Sequence, residues 1–320
     1  MAHAFVIGRV GVDLTPAAAR TSVVEATAFL RAVGGFAGNI GVGLARLGVS
    51  TALVGAVGDD GHGRHVRATL VSEGIDDGWL IARAGLRTQL AFFEAWPPED
   101  FPVTFYRVAP SPETLLTAAE LPLDELETAP LVIVSGALLA VDPARSTILA
   151  LLARRAAARE RRPASWTILD LDWRPALWED PGAYGGVVER AAALSDVLIG
   201  SDGEFAAARL GPGDAARNGG GLVVLKHGSA GVTLLANGRR TTVPVIPVEV
   251  VSGLGAGDAL TAAFGAGLLA GLDPFEAVVR GNAAGAIVAS RLTCSTAMPT
   301  PTEIDDLLAR TASHREETRP

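Results

Sequence analysis

The sequence predicts an α/β fold with a mainly parallel central sheet and helices on both of its faces. Short apolar runs, for example at residues 4–7, 131–135 and 222–225, are typical of buried strands. Segments with helical patterning alternate with these runs along the whole chain. Of the 320 residues, 49% are hydrophobic and 37 are glycine, which is enough for a large core with many tight turns.

Composition narrows the function classes. The formal net charge of −8 argues against nucleic acid or an anionic membrane surface as a general partner. The one cysteine, Cys294, excludes an intrachain disulfide and a cysteine-based metal site, and we expect it to be a small buried residue. The run 259–272 is too short to span a bilayer, and Arg9 and Asp13 interrupt any signal-peptide pattern. We therefore expect a single cytoplasmic domain over residues 1–320, without a membrane partner.

The first elements place polar groups near the end of a strand. Residues 4–7 read as a strand, and Asp13 follows, where open α/β sheets bind ligands. Asp13 can accept hydrogen bonds from sugar hydroxyls, although aspartate is also common in turns. Gly34, Gly35 and Asn39 open a predicted helix that ends before Gly48. Their amides and the asparagine side chain are suited to a polyol.

The middle of the chain predicts outer elements. His62 and His65 lie on a predicted helix over 61–74 and are interpreted as part of a solvated face. Strands are predicted at 88–93 and 103–106, and Arg107 follows the second strand. Arginine can grip a carboxylate with two hydrogen bonds, but an exposed strand arginine is the alternative. A basic helix at 145–162 is predicted on the outside of the fold.

Three later strand ends carry charged groups. Asp170 and Asp172 end one predicted strand and Arg174 follows, a set suited to phosphoryl or acid binding. Ser201 and Glu204 follow the strand at 195–199, where a glutamate can also simply stabilise a helix start. Lys226, Gly228 and Gly231 follow the strand at 222–225 and suit nucleotide phosphates. An edge strand is predicted at 241–250 because it contains two prolines, and Asn282 lies in a predicted small-residue helix at 281–290.

The stretch 253–258 has the most informative pattern. Three alternating glycines precede Asp258, and a helix follows whose apolar residues recur every four positions. The N–H groups of its first turn have no partner inside the helix, and they suit a phosphate or a developing anion. Asp258 can act there as a base toward an alcohol or simply cap the helix. The pattern is neither a Walker loop nor a dinucleotide fingerprint.

Two stretches resemble the signatures of the ribokinase-like (PfkB) sugar kinases. Residues 34–60, from Gly-Gly through Asn39 to Gly-x-Val-Gly-x-Asp, are similar to the first signature, and Gly-Ala-Gly-Asp at 255–258 matches the second. Ser252 and Gly253 replace the Asp-Thr that opens the second signature, whose aspartate helps to hold a monovalent cation in many members. Asp172 and Ser201 each replace a family asparagine.

The resemblance implies a ribokinase-like three-layer fold with a small β-sheet lid, formed by segments at about 13–33 and 86–108, and an ATP-dependent sugar kinase with Mg²⁺. It also implies roles for individual residues. These are Asp258 as the catalytic base; the amides of Gly255, Ala256 and Gly257 as the anion hole; Asp13, Gly34, Gly35, Asn39, Arg107 and Arg174 as substrate contacts; Ser201, Lys226, Gly228, Gly231 and Asn282 beside the nucleotide; and Glu204 at Mg²⁺ through water.

Local segments at 8–14, 97–102, 253–255 and 297–300 are similar to one branch of the family, the kinases of 5-dehydro-2-deoxygluconate in inositol catabolism. This likeness implies phosphorylation of the terminal primary hydroxyl of a sugar acid. 2-Keto-3-deoxygluconate, fructose and nucleosides are alternative substrates. A non-catalytic sugar-binding regulatory protein on the same fold is the alternative of another class. Family members often pair through their lids, so a homodimer is expected.

Overall fold

The chain alternates strands and helices, as the sequence predicts. A computed structural model describes residues 3–98, 100–161, 164–218 and 221–317. The strands are β1 Ala4–Ile7, β2 Gly11–Pro16, β3 Phe29–Gly34, β4 Thr51–Gly58, β5 Leu80–Arg83, β6 Leu90–Phe93, β7 Val103–Tyr106, β8 Leu131–Ser135, β9 Trp166–Asp170, β10 Val197–Ser201, β11 Leu222–Lys226, β12 Val232–Ala236 and β13 Arg239–Val243. The helices are α1 Phe36–Arg46, α2 Gly61–Ser72, α3 Leu123–Thr128, α4 Ala144–Ala157, α5 Tyr184–Ala193, α6 Asp202–Ala208, α7 Pro212–Asn218, α8 Ala256–Leu269, α9 Pro274–Ala289 and α10 Pro301–Glu317.

A large sheet carries most of the strands. Within the described residues its order is β13-β12-β11-β10-β9-β8-β1-β4-β5. The pairs from β5 to β11 are parallel, and β12 and β13 are antiparallel additions at one edge. The parallel strands β8, β9, β10 and β11 are neighbours, so their carboxyl ends lie along one edge of the sheet. Ligands bind at this edge in open α/β folds.

Two hydrophobic cores lie on the two faces of this sheet. Along β1, Val6 belongs to one core and Ile7 to the other, because successive strand side chains point to opposite faces. Helices α1, α8 and α9 contribute buried residues to the first core, and α4 and α5 contribute to the second. Both cores exclude water from strand residues, which explains why the strands read as continuous apolar runs. The predicted arrangement of helices on both faces is confirmed.

A second, smaller sheet has the order β3-β2-β6-β7. β2 runs antiparallel to β3 and parallel to β6, and β6 and β7 form an antiparallel pair. The predicted separate small sheet is therefore present. Asp13, at the start of the lid segment that the resemblance implies, lies within β2, opposite Ala32 and Ala91 of the neighbouring strands.

Several element bounds differ from the sequence prediction. The edge strand predicted at 241–250 ends at Val243, because the following Pro244 has no N–H to continue the ladder. The helix predicted at 145–162 ends at Ala157 and continues only as a short 3₁₀ turn to Arg161; residue 162 lies outside the described part. β5 and β12 were not predicted. Among the described residues, no helix is both long and apolar enough to cross a membrane.

Candidate active site

Helix α8 begins at the edge of a cavity. Gly255 precedes the helix with φ of 82°, a left-handed conformation that a residue with a Cβ adopts only with strain. A Cβ at this position would also lie 3.0 Å from the Cβ of Cys294. The turn presents the N–H groups of Ala256, Gly257 and Asp258, which have no partner inside the helix. This geometry can bind an anion.

Asp258 lies in the first turn of α8 and lines a cavity of about 270 Å³. The side chain of Asn39, on α1, donates a hydrogen bond from Nδ2 to Oδ2 of Asp258 at 2.7 Å. Burial of the carboxyl group raises the pKa of Asp258, and the hydrogen bond from Asn39 partly opposes that rise. The other lining residues are Asp13, Gly35, Phe36, Asn39, Ala91, Phe93, Val103, Phe105, Asp172, Arg174, Leu254, Gly255 and Cys294.

Asp13 is a second carboxylate that lines this cavity. Burial and the neighbouring charge of Asp258 raise the pKa of the Asp13 carboxyl to about 7. Gly34 packs directly against this carboxylate, since a Cβ at residue 34 would lie 2.0 Å from the Asp13 Cγ. Glycine at this position therefore allows Asp13 to remain in the cavity. The thiol of Cys294 is buried, and it lines the same cavity as Asp13.

A second charged group lies behind the start of α8. Lys226, at the carboxyl end of β11, places its Nζ 3.2 Å from Oδ2 of the buried Asp170. The hydroxyl of Thr261 donates to the same oxygen at 3.1 Å. The Lys226 ammonium lies only 3.5 Å from where a Cβ on Gly257 would be. A positive charge therefore lies beside the free amides of α8. Sequence reasoning noted Asp170 but missed its role as the partner of Lys226.

Asp172 is the centre of an arginine cluster. Arg9 donates from Nη2 to both oxygens of Asp172, at 3.0 and 2.8 Å, and both side chains are buried. Arg174 lies 3.0 Å from Asp172, and Ser135 donates to it at 2.5 Å. Burial alone would raise the pKa of Asp172, but Arg9 and Arg174 lower it to about 2. Arg9 was missed by sequence reasoning, because nothing local distinguishes it from an ordinary turn residue.

The two predicted acid-binding arginines are placed differently. Arg174 lines the Asp258 cavity and its side chain is 44% exposed, although it is also paired with Asp172. Arg107 does not line that cavity; it lines a neighbouring one, and its guanidinium lies 4.1 Å from the centre of the Phe105 ring. Phe105 faces the Asp258 cavity instead. Burial, together with the nearby Arg9, lowers the pKa of Arg107 to about 10.

Glu204 takes part in a capping box at the start of α6. Its Oε2 accepts hydrogen bonds from the N–H and hydroxyl of Ser201, and Oε1 accepts from the N–H of Trp173 at 3.1 Å. A carboxylate has about four lone-pair positions, so one remains for a water molecule. Among the described residues no cluster of three metal-ligating side chains occurs. Glu204 therefore fits a Mg²⁺ ion that is held mainly by water and nucleotide phosphates.

The remaining predicted nucleotide residues lie outside the Asp258 cavity. Gly228 and Gly231 form the short turn between β11 and β12. Asn282, on α9, donates from Nδ2 to the carbonyl oxygen of Pro244 at 2.9 Å. Ser201, the N-cap of α6, ends β10 beside Lys226 at the end of β11. Gly228 and Gly231 therefore follow the same strand end as Lys226, and Ser201 ends the neighbouring strand; neither these three residues nor Asn282 lines the Asp258 cavity.

Comparison with known proteins agrees with this arrangement. The model of the pfkB family carbohydrate kinases matches residues 1–301. The 5-dehydro-2-deoxygluconokinase of Bacillus subtilis is 30% identical over 312 residues, which cover 94% of each chain. The enzyme of the same name from Photobacterium profundum is 32% identical and covers 95% of this chain and 94% of its own.

Solved structures show the same fold. A putative ribokinase II from E. coli, in its apo form, has a TM-score of 0.85 at 20% identity and covers 97% of this chain and 100% of its own. The fructokinase of Vibrio cholerae O395, bound to fructose, ADP and calcium, has a TM-score of 0.80 at 24% identity. The match covers 95% of this chain and 98% of the fructokinase chain. With the family model matching nearly the whole length, this chain belongs to the pfkB family of carbohydrate kinases and is a phosphotransferase.

Proposed function

We propose that this protein transfers the γ-phosphoryl group of ATP to the terminal primary hydroxyl of a sugar acid, with 5-dehydro-2-deoxy-D-gluconate as the substrate. The position of Asp258 carries the proposal. Its carboxylate lines the cavity at the start of α8 and is oriented by Asn39. Relatives named 5-dehydro-2-deoxygluconokinase, at 30–32% identity over most of the chain, support the choice of substrate.

Asp258 acts as the general base in this proposal. It accepts the hydroxyl proton while the hydroxyl oxygen forms a bond to the γ-phosphorus and the bond from that phosphorus to ADP breaks. The raised pKa makes the carboxylate a stronger base than an exposed aspartate. The hydrogen bond from Asn39 occupies Oδ2, which leaves Oδ1 for the substrate hydroxyl.

Negative charge on the transferred group is offset by fixed donors. The donors are the N–H groups of Ala256, Gly257 and Asp258 together with the ammonium of Lys226. They lie close to one another beside the cavity. Asp170 holds the ammonium there. When Mg²⁺ is bound, it neutralises nucleotide phosphates, and Glu204 would hold one of its water molecules.

Arginines bind the acid end of the substrate in this proposal. Arg174 lines the cavity directly. Arg107 lies close enough to Asp172 and Arg174 for their charges to influence its pKa. Arg9 is already used by Asp172, so it fixes the cluster without being free for the ligand. Binding both ends of the substrate holds the hydroxyl in position for attack.

Arg107→Ala and Arg174→Ala should each raise KM for acid substrates about 10- to 100-fold, the effect of losing a hydrogen bond between charged groups. KM for a neutral sugar such as fructose should change little, because no carboxylate is present. Steady-state kinetics on both substrate types measure the difference. Equal losses on acid and neutral substrates would remove these arginines as carboxylate contacts.

A substrate panel tests the proposal as a whole. ADP release should be measured with 5-dehydro-2-deoxygluconate, 2-keto-3-deoxygluconate, fructose and a nucleoside, each with and without potassium. We expect the highest kcat/KM for 5-dehydro-2-deoxygluconate. A higher value for another substrate would replace the proposed one, and no substrate-dependent ADP release at all would favour a sugar-binding protein without kinase activity. Potassium is varied because the buried Ser252 stands at the start of the second signature.

We also propose that the protein forms a homodimer through its small sheet. Phe29, Phe92 and Tyr106 form a ladder of edge-to-face rings on this sheet, with centroids 5.6 and 5.3 Å apart. Phe29 and Tyr106 are exposed, and an exposed apolar surface of this kind is typical of an interface. Sedimentation velocity should give a dimer, and a monomer at all protein concentrations would exclude it.

A further inference from the structure

An aromatic side chain next to the small sheet contacts the loop that leads into α8. Phe101 is partly buried and lies two residues before β7. A Cβ on Gly253 would be 3.0 Å from Cε2 of the Phe101 ring, and the three atoms nearest to that position all belong to this ring. Carbon atoms in ordinary contact are roughly 3.5 Å or more apart. Phe101 therefore fills the space that a side chain at residue 253 would take.

The backbone of Gly253 does not itself require glycine. Its φ lies outside the left-handed region, whereas Gly255, two residues later, has φ of 82°. A residue with a Cβ could therefore adopt the conformation of Gly253 without strain. The first group that such a side chain would meet is the Phe101 ring. Glycine stands here in place of the threonine of the second signature, and the position of Phe101 explains why.

The contact lies at the rim of the Asp258 cavity. The pairing of β6 with β7 continues by one hydrogen bond before β7 begins, so Phe101 and Val103 share a face of the extended stretch. Val103 lines the cavity, and so does Leu254, which follows Gly253. Gly253 itself is exposed, so Phe101 touches the loop where the cavity meets solvent.

We propose that Phe101 is a positioning residue for phosphoryl transfer, which holds the small sheet against the loop before α8 and keeps water out of the Asp258 cavity. The inference rests on the proposed role of Asp258 as the base. If the sheet moves away from the loop, water can replace the substrate hydroxyl. The water oxygen then bonds to the γ-phosphorus, the bond to ADP breaks and Asp258 takes the proton, which yields ADP and inorganic phosphate.

Phe101→Ala should therefore change both the rate and the products. With the best substrate of the panel, kcat/KM should fall about 10- to 100-fold, as expected for a displacement of about 1 Å between reacting groups. The ratio of inorganic phosphate to sugar phosphate should rise, which a loss of folded protein alone would not cause. Phe101→Tyr keeps the ring and should retain wild-type values. Phe275→Ala, at an exposed phenylalanine on α9, is the matched control.

Gly253→Val tests the pair. It places a side chain where the Phe101 ring lies, so it should reproduce the effects of Phe101→Ala. The double variant should lose no more than Phe101→Ala alone, because the ring is already absent. Gly186→Val, on α5, is the control, since nothing lies within 4 Å of an added Cβ there. Additive losses in the double variant, or an unchanged product ratio in Phe101→Ala, would overturn the proposal.

Hydrogen exchange without ligand gives a readout that does not depend on activity. The N–H of Glu94 donates to the carbonyl oxygen of Pro102 at 3.0 Å, next to Phe101. Its exchange should be about tenfold faster in Phe101→Ala and Gly253→Val, the effect of losing part of the burial of one aromatic side chain. Equal exchange in these variants and the wild type would overturn the proposal. Failure of the proposed function appears elsewhere, as a wild type without sugar-dependent ADP release.

Discussion

Asp258→Asn should lower kcat about 10²- to 10⁴-fold, the usual contribution of a positioned general base. An asparagine has nearly the same shape, and its Oδ1 can still accept the hydrogen bond from Asn39, but it cannot take a proton. The fold and the nucleotide contacts should therefore remain. Single-turnover kinetics measure the chemical step, and titration calorimetry with ATP measures binding, which should change little.

The matched control is Asp273→Asn. Asp273 also begins a helix, α9, where its side chain accepts a hydrogen bond from the N–H of Phe275 at 2.8 Å. Asparagine caps helices about as well as aspartate, so this variant should keep wild-type activity. If Asp258→Asn kept near wild-type turnover, Asp258 would be only a helix cap and the proposed mechanism would be wrong.

The pH dependence of kcat should also identify Asp258 as the base. A base must be ionised, so kcat should fall as the pH drops through the pKa of Asp258, which burial raises above its ordinary value. This acid limb of the kcat profile should therefore lie at a higher pH than it would for an exposed aspartate. In Asp258→Asn the residual rate should lose this limb. A limb of unchanged position in that variant would assign the titration to another group, for example Asp13 with its pKa of about 7.

Arg9→Met should lower the free energy of unfolding by about 3 kcal/mol, near the low end of the cost of breaking a buried ion pair. The variant leaves the Asp172 carboxylate, which is 3% exposed, without its two hydrogen bonds from Arg9. Arg174 and Ser135 remain as partners, which limits the loss. Urea unfolding followed by circular dichroism measures the change.

Two further variants test whether the loss of stability in Arg9→Met is electrostatic. Arg64→Met breaks an exposed pair at 3.8 Å and should cost less than about 1 kcal/mol. Arg9→Met combined with Asp172→Leu removes both charges and should recover most of the lost stability, since an apolar pair can replace a buried ion pair. If the double variant were no more stable than Arg9→Met alone, packing of the Arg9 side chain would explain the loss.

The pKa of Asp172 determines how the stability of the protein changes with pH. Its pKa is about 2 in the folded protein, against an ordinary value of 3.8. The stabilisation is therefore complete above the ordinary value and is lost as the pH falls toward 2, because protonation removes the ion pairs. The difference in stability between the wild type and Arg9→Met should narrow over the same range. A constant difference down to pH 2 would contradict the electrostatic explanation.

Local patterns were sufficient for much of the fold and part of the site. The apolar runs predict the parallel strands, because burial on both faces requires them to be apolar throughout. The glycines before Asp258 predict a helix start with free amides, and the structure has Gly255 in the left-handed conformation that this turn needs. Gly34 and Gly35 are predicted to offer amides to a polyol, and the structure adds that Gly34 packs against the Asp13 carboxylate.

The sequence by itself therefore determined the alternating architecture, the helix start with free amides and the carboxylate beside it, since each depends on neighbours only a few residues away. Tertiary structure alone decided which distant groups meet. Asn39 and Asp258 are 219 positions apart, and Arg9 and Asp172 are 163 apart. Strand order brings β1, β8 and β9 together, and strand register places Phe105 opposite Ala91 on the face that lines the Asp258 cavity. Strand order and strand register cannot be predicted from local sequence, because hydrophobic periodicity gives the buried face of an element but not the partner that covers it.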